Sequence, residues 1–418
     1  MQVVIVVSWT SLRNPTEKTL DSETPTDGNT TPPETPRLLR ATCAPELAPW
    51  LRREVEGLGY EIKHADHTGV EVRGLMRDAM RMTLRLRTAY HVLQRFADLR
   101  AKDADAMYES AIRLPWERVI PSDGYVTVTS TVKNDSINNS MFANMRLKDA
   151  IVDRINGVHG HRPDAGSAGD RTVVHMYWKD EHCRVSLDIT GRKLSDRGYR
   201  RIPRRAPMRE TIAAALLMET GYEGSTPMVV PMCGSGTIAI EAALIAAGRA
   251  PGLLRSNFGV QHLLTFDEDT WIEERNAAKK LRNRDQPAPI VASDIDPESV
   301  EAARKNAITA GVDHLIEFHV GDFAETPMPD EPGYVILHGE YGQRLGAEAD
   351  LAETYARMGD FLKQKCGGWQ GYVFTSRELS GKIGLKPKRR IPFEHGGVDC
   401  RLLSYELYSG TRRTSSTS

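Results

Sequence analysis

The chain has 418 residues, of which 40% are apolar and 27% charged, and its formal net charge is −1. This is an ordinary composition for a water-soluble protein, and the length predicts two or three domains rather than one core. The five cysteines include no C-x-x-C pair, which argues against a disulfide framework or a zinc site and favours a reducing cytoplasm. No apolar run approaches the length of a membrane span. We therefore expect no membrane partner and, from the cysteine pattern, no metal.

The first half of the chain predicts two small α+β modules between disordered ends. Residues 1–36 are rich in Thr, Pro, Ser and Glu, and residues 411–418 have a similar polar composition, so both are expected to be disordered. The hydrophobic pattern of a first module, 37–96, predicts alternating strands and helices at 37–44, 45–58, 70–72 and 75–92. The pattern of a second module, 97–191, predicts strands at 125–132, 172–178 and 183–188 and a helix at 144–155.

A basic linker follows at 192–210. Between 192 and 209 it contains eight cationic side chains and a single acid, Asp196; the cations are Arg192, Lys193, Arg197, Arg200, Arg201, Arg204, Arg205 and Arg209. One interpretation is a solvated connection between domains. The other is a basic seam that follows the phosphate backbone of a nucleic acid.

The chain from 211 to 410 alternates between helices and strands, which predicts a doubly wound, mostly parallel sheet. The predicted elements are helices at 211–220, 236–247, 297–310 and 351–365 and strands at 228–230, 290–295, 316–320, 334–337, 372–375 and 402–407. An insertion of weak pattern, 248–288, is expected to be anchored by Phe258, Phe266 and Trp271. Such sheets bind ligands at the carboxyl ends of their strands.

Three successive strand ends carry residues suited to an adenosyl group. Gly234 and Gly236 stand between a strand and a helix, where backbone N–H groups and the positive helix end can face a ligand. Asp294 ends the next strand and can accept hydrogen bonds from ribose hydroxyls. Asp322 ends the third, with Phe323 beside it, and can accept from an adenine amine. Each alone is more often a turn residue, but the three in order predict an adenosyl cofactor.

NAD is the rival to S-adenosylmethionine as that cofactor. The run from Gly234 to Ala239 fits a loose G-x-G-x-x-A pattern. However, the dinucleotide pattern places its acid about 20 residues further on, whereas Asp294 lies 58 residues beyond Gly236. The spacing therefore favours S-adenosylmethionine.

The segment PMCGSGTIAIEAALIAAGRAPG, residues 231–252, closely resembles the THUMP-domain large-subunit rRNA guanine-N2 methyltransferases. The resemblance extends over about 37–410 through SINNSMFANMRLKDAIVDRI, DRGYRRIPRRAPMRETIAAALL, SDIDPESVEAARKNAITAG, YGQRLG and GGVDCRLLSYEL. It implies a Rossmann-like class I methyltransferase domain preceded by an α+β, ferredoxin-like and THUMP region that binds RNA. Longer members carry a second methyltransferase domain; we expect a single one here.

The resemblance also implies the roles of individual residues. S-adenosylmethionine would be bound at the three strand ends by Pro231, Cys233, Gly234, Ser235, Gly236, Thr237, Asp294, Asp322 and Phe323. Large-subunit rRNA would be bound by basic residues of the THUMP helix and the linker, which are Arg146, Lys148, Arg197, Arg200, Arg201, Arg204 and Arg205. We expect Cys233 to be a small buried residue of the turn rather than a nucleophile.

The catalytic segment of the family is Asn-Pro-Pro-Tyr after the fourth strand, where the asparagine and a proline carbonyl accept the amine hydrogens of guanine. In this chain the segment is His338, Gly339, Glu340 and Tyr341, and Val230 stands where the family has aspartate. One hypothesis is an active guanine-N2 methyltransferase in which Glu340, His338 and the Gly339 carbonyl accept the amine hydrogens. A second is an rRNA-binding module for ribosome assembly that has lost catalysis. A third is methylation of a different atom or of a different substrate.

Overall fold

The computed structural model describes residues 35–204, 207–281, 287–339 and 348–408. The first half forms one mixed sheet with helices, made of β1 (Arg37–Thr42), α1 (Ala48–Gly57), β2 (Ile62–Asp66), β3 (Gly69–Gly74), α2 (Met76–Arg85), β4 (His91–Arg100), α3 (Ala104–Ala111), β5 (Tyr125–Lys133), α4 (Ser140–His159), β6 (Asp164–Ala165), β7 (Thr172–Lys179) and β8 (His182–Asp188). The second half forms a wound domain, made of α5 (Glu210–Thr220), β9 (Met228–Pro231), α6 (Thr237–Ala246), α7 (Glu268–Lys280), β10 (Ile290–Asp294), α8 (Pro297–Ala310), β11 (Ile316–Val320), β12 (Tyr334–Leu337), α9 (Glu348–Lys365), β13 (Gln370–Ser376), β14 (Arg389–His395) and β15 (Val398–Glu406).

The first sheet joins the two N-terminal modules into one surface. Its strand order is β2-β3-β1-β4-β8-β7-β5-β6. Strand β4 pairs antiparallel with β1 on one side and with β8 on the other. Strand β4 therefore belongs to both modules and joins them by main-chain hydrogen bonds.

The helix predicted for 75–92 is wrong in its second half. Helix α2 ends at Arg85, and Leu86 already has extended backbone (φ −68°, ψ 128°). Residues from His91 onward form β4 instead. The apolar residues Leu86 and Val92 are both buried and so mimic a helical stripe, but pairing with two neighbouring strands decides the conformation. Strand β2 was not predicted at all.

The second sheet confirms the predicted class I architecture. Its order is β11-β10-β9-β12-β13-β15-β14, in which the first five strands are parallel and β15 runs antiparallel to both of its neighbours, β13 and β14. From β9 the chain first adds strands on one side of the sheet, β10 and β11, and then on the other side, β12 and β13. The gap between β9 and β12 is therefore the switch point where such sheets bind ligands. The predicted α8 is confirmed residue for residue, because Asp296 caps its N-terminus and Gly311 (φ 66°) ends it.

The part of the insertion that the structure describes, 248–281 and 287–288, packs against the core through the three predicted aromatic residues. The ring of Trp271 lies 5.2 Å from that of Phe258 and 6.4 Å from that of Phe266, measured between centroids. Its helix α7 was not predicted. Throughout the described ranges, none of the helices combines the length and the apolar character that crossing a bilayer requires.

Candidate active site

A large open cleft of about 2180 Å³ lies at the carboxyl ends of the parallel strands. One residue at or just beyond the end of each of four strands lines it: Cys233 after β9, Asp294 at the end of β10, Asp322 after β11 and His338 after β12. The sheet therefore brings the three predicted cofactor positions and the first predicted catalytic residue to one surface.

The loop between β9 and α6 has unusual backbone geometry. Met232, Gly234 and Gly236 all have positive φ, at 60°, 55° and 85°. A Cβ at Gly234 would meet nothing within 4 Å, so there the conformation alone favours glycine. A Cβ at Gly236 would lie 2.8 Å from the Cβ of Ala303 on α8, so there close packing excludes a side chain as well.

Asp294 fixes this loop from the neighbouring strand. One carboxylate oxygen accepts from the Gly234 N–H at 2.9 Å, and the other accepts from the Asp296 N–H at 3.0 Å. The carboxylate is thereby held at the mouth of the cleft, and each oxygen retains acceptor capacity. This position suits the predicted hydrogen bonds to the two ribose hydroxyls.

Two apolar side chains provide walls for a flat ring. Ile295 follows Asp294, lines the cleft and is 70% exposed, which is unusual for isoleucine. Phe323 is 5% exposed and also lines the cleft. The sequence analysis missed Ile295, although an apolar residue between Asp294 and Asp296 in a polar turn was an available signal.

Asp322 already has a charged partner in this structure. The Arg357 guanidinium on α9 donates to both of its oxygens at 2.8 Å and lies 5.0 Å from the centre of the Phe323 ring. Burial would raise the pKa of Asp322, but Arg357 and the Ala324 N–H together lower it below its ordinary value. An adenine amine would share this carboxylate with Arg357.

The linker is hydrogen-bonded directly to the cofactor loop. Arg200 Nη1 donates to Ser235 Oγ at 2.9 Å and to Thr237 Oγ1 at 2.8 Å. Asn306, fully buried on α8, donates to the Ser235 carbonyl at 3.1 Å, and its side-chain oxygen accepts from the N–H of Arg201 at 3.0 Å. The linker is thus a structural part of the cofactor site.

Two of the predicted RNA contacts are therefore corrected. Arg197 is 1% exposed, and its donors point to the carbonyls of Leu194 and Arg87 and to Glu241 Oε1 at 3.4 Å. The side chain of Arg200 is 14% exposed and is ion-paired to Glu210 at 2.9 Å. Buried guanidiniums with internal partners have no surface for RNA, because taking up a phosphate would leave buried carboxylates unpaired.

The other predicted RNA residues lie at the surface or outside the described ranges. Arg201 is exposed, and Arg204 pairs with Asp296 at 2.6 Å and lines the cleft. On α4, Arg146 and Lys148 are partly exposed and pair with Asp105 at 2.7 Å and Asp149 at 2.9 Å, respectively. Arg205 falls outside the described residues.

The predicted catalytic segment is only partly described. His338 lies beside Phe374, with 5.6 Å between ring centroids, and 6.4 Å from the ring of His395. Burial, together with His395, lowers the pKa of His338 to about 3, so its imidazole is neutral at physiological pH. Gly339 is buried, and a Cβ there would lie 2.4 Å from the Met358 methyl. Glu340 and Tyr341 lie outside the described residues.

The remaining predicted cofactor residues divide by position. Ser235 and Thr237 line the cleft, whereas Pro231 and Gly236 are buried behind it. Burial raises the pKa of the Cys233 thiol well above its ordinary value. The thiol is therefore protonated, which supports the interpretation of Cys233 as a residue of the turn.

Three family models match consecutive parts of the chain. The RlmL ferredoxin-like domain matches 39–93, the THUMP domain 101–188 and the RMKL-like methyltransferase domain 197–404. A putative RNA methyltransferase of Synechocystis sp. is 34% identical over 369 residues, covering 88% of this chain and 96% of that protein. The ribosomal RNA large subunit methyltransferase K/L of Allochromatium vinosum is also 34% identical, over 88% of this chain but 51% of that protein. The chain thus spans about half the length of the K/L relatives.

Solved structures show the same architecture. A putative methyltransferase, SMU.472, complexed with SAH aligns with TM-score 0.80 and 25% identity over 90% of this chain and 100% of that one. A predicted N6-adenine-specific DNA methylase from Listeria monocytogenes aligns with TM-score 0.78 and 30% identity over 90% and 97%. Taken with the site geometry and the three domain matches, these likenesses show that the chain belongs to the RMKL-like methyltransferase family, in the form that carries an RlmL ferredoxin-like domain and a THUMP domain.

Proposed function

We propose that this chain transfers a methyl group from S-adenosylmethionine to the N2 amine of a guanine in large-subunit rRNA, in the cytoplasm. The observation that carries the proposal is the meeting of the Gly234 loop, Asp294 and Asp322 at the switch point of a class I sheet. The THUMP match and the names of the K/L relatives support RNA as the substrate. All five cysteines are unpaired thiols, which fits a reducing compartment.

The residues present fit the cofactor. Asp294 offers carboxylate oxygens to ribose hydroxyls from a position fixed by two backbone N–H groups. Ile295 and Phe323 offer apolar surface to the adenine ring, and Asp322 an acceptor for its amine. When bound, S-adenosylmethionine supplies an electrophilic methyl group on its sulfonium.

The protein's own contribution to transfer is mainly positioning. The lone pair of a guanine N2 amine is delocalised into the ring, so the amine must be held in line with the methyl group by acceptors for its hydrogens. One ring nitrogen of the neutral His338 can accept such a hydrogen bond. We propose the Gly339 carbonyl and Glu340 as further acceptors and Tyr341 as the ring that stacks on a base turned out of its helix.

The N-terminal sheet and the exposed part of the linker would hold the RNA. We propose that 37–96 and 97–191 act together, because β4 is shared between them. Arg201 and Arg204 remain candidates for contacts to phosphate, together with Arg146, Lys148 and Arg205.

The test is methyl transfer from labelled S-adenosylmethionine to large-subunit rRNA transcribed without modification. We expect incorporation into guanine, identified as N2-methylguanine by nuclease digestion and mass spectrometry. Glu340→Ala should reduce the rate, and Asp294→Asn should weaken cofactor binding in calorimetry. Cofactor and RNA binding without incorporation would instead support the alternative of an RNA-binding module, and label in another base would refute the guanine assignment.

A further inference from the structure

Arg209 differs from the other arginines that line the cleft. Arg204, Arg357 and Arg377 are each paired with a carboxylate, at 2.6, 2.8 and 3.7 Å respectively. Arg209 lines the same cleft, is exposed and has no ion pair to any carboxylate within the described part of the chain. Arg209 can therefore meet an anionic ligand without first losing an ion pair, whereas each of the other three has a carboxylate partner.

A tyrosine of the ferredoxin-like module holds this charge beside a second one. Arg209 Nη1 donates to the Tyr90 hydroxyl at 2.9 Å. The exposed Lys193 ammonium lies 5.2 Å from the centre of the same ring. Lys193 likewise lacks a carboxylate partner among the residues the structure describes. One tyrosine of the first module thus contacts two cations of the linker, Arg209 through its hydroxyl and Lys193 through its ring.

Arg209 lies on the part of the cleft expected to receive the target base, and Lys193 contacts the same tyrosine as Arg209. Arg209 is close enough to His395 to contribute to the lowering of its pKa, after burial. The His395 ring is 6.4 Å from that of His338, which directly follows β12. A polyanion that placed one unit at His338 would therefore bring a neighbouring unit towards Arg209.

We propose that Arg209, Lys193 and Tyr90 form a binding subsite for the RNA phosphates that flank the target nucleotide. This rests on the proposed function, since it assigns to that substrate a place to enter the cleft. The two cations neutralise phosphate, and the tyrosine fixes them, so that ferredoxin-like module and catalytic domain grip the same stretch of backbone. Contacts of this kind position RNA without reading its sequence.

The subsite can be tested in the full chain by the salt dependence of RNA binding. Binding of a short fluorescent single-stranded RNA is titrated at several salt concentrations for wild type, Arg209→Gln, Lys193→Gln and Tyr90→Phe. Each lost phosphate contact should flatten the slope of log affinity against log salt by about 0.7. Arg209→Gln and Lys193→Gln should both show this for every RNA sequence, and Tyr90→Phe should weaken binding less.

Arg377→Gln is the matched control, because it removes the same charge from the same cleft at a paired residue. It should leave the slope nearly unchanged. Calorimetry with S-adenosylmethionine should give wild-type affinity for Arg209→Gln, since its helix-capping role is made by the backbone: its carbonyl accepts from Ile212 and Ala213. With rRNA as substrate, Arg209→Gln should raise KM several-fold with little change in kcat, as expected when a contact is made equally in the ground state and the transition state.

The outcomes separate this subsite from the function on which it rests. Suppose that the wild type binds and methylates RNA but that Arg209→Gln and Lys193→Gln keep the wild-type slope. That result would overturn the subsite alone. An equal loss in Arg377→Gln would also overturn it, because the effect would then be one of general charge. Wild type that binds no RNA at any salt would overturn the proposed function and the subsite together.

Discussion

Replacement of Arg200 by glutamine would test how the linker supports the cofactor loop. In the native structure the Arg200 guanidinium contacts Ser235 Oγ and Thr237 Oγ1, at 2.9 and 2.8 Å, and the Met208 carbonyl at 2.8 Å. It also pairs with Glu210, whose residue is 8% exposed. A single change therefore removes two contacts to the loop and leaves a buried carboxylate without its partner.

The expected loss of stability follows from that carboxylate. Removing one partner of a buried ion pair costs about 3–5 kcal/mol. Burial already raises the pKa of Glu210, and Arg200 opposes this shift. Without Arg200 the pKa rises further, so protonation of Glu210 limits the penalty as the pH falls. We expect the free energy of unfolding to drop by about 3 kcal/mol at alkaline pH and by less at pH 5.

Urea unfolding of Arg200→Gln beside the double variant Arg200→Gln/Glu210→Gln separates stability from cofactor binding. The double variant has no uncompensated charge and should recover most of the lost stability. It still lacks the donors to Ser235 and Thr237, so calorimetry should show S-adenosylmethionine binding at least about tenfold weaker than in wild type, or about 1.4 kcal/mol. Wild-type cofactor affinity in the double variant would refute the idea that Arg200 orders the loop.

Two further predictions concern the glycine loop and His338. Gly234→Ala should lower the free energy of unfolding by about 1–2 kcal/mol, for the left-handed conformation alone. Gly236→Ala should lower it by more and should also weaken cofactor binding, since its Cβ would meet Ala303. Equal losses of stability in urea unfolding would contradict this difference. His338 has a pKa of about 3 in place of 6.5, so below pH 6.5 the unfolded chain takes up a proton that the folded one does not. The free energy of unfolding should therefore fall with decreasing pH, by up to about 1.4 kcal/mol per unit from this group, and His338→Asn should remove that part of the slope. If His338→Asn leaves the slope unchanged, the pKa of His338 is not lowered in the folded protein.

The sequence predicts most of the wound domain because its signals are local. Helix α8 has a capping Asp296, a proline at its first position and Gly311 at its end. Strand β9 is buried along its whole length, as a central parallel strand should be. By contrast, the first two residues of β4 were included in a predicted helix and the rest of the strand was not predicted, because its conformation depends on two strands that are distant in the sequence.

The same distinction explains the errors at the candidate site. Both interpretations of the basic residues at 192–210, a solvated linker and a seam along a phosphate backbone, placed them at the surface, because charge alone does not reveal burial. Arg197 contacts Glu241, which lies 44 residues further along the chain. Arg200 contacts Ser235, which lies 35 residues further along. Ile295 was missed because an apolar residue at a strand end is expected to be buried, whereas this one is exposed.

Arg197 lies between the N-terminal modules, which we propose to bind RNA, and the helix that follows the cofactor loop. Thr88, in the turn before β4, is hydrogen-bonded to Glu54 on α1 through its N–H at 2.9 Å. The carbonyl of its neighbour Arg87 accepts from Arg197, and Arg197 contacts Glu241 on α6, the helix that begins at the cofactor loop. A series of polar contacts thus runs from α1 to α6, the helix that follows the cofactor loop. Because such contacts are costly to break singly, we expect RNA bound to the N-terminal modules to change the affinity for S-adenosylmethionine, and the cofactor to change RNA affinity by the same factor.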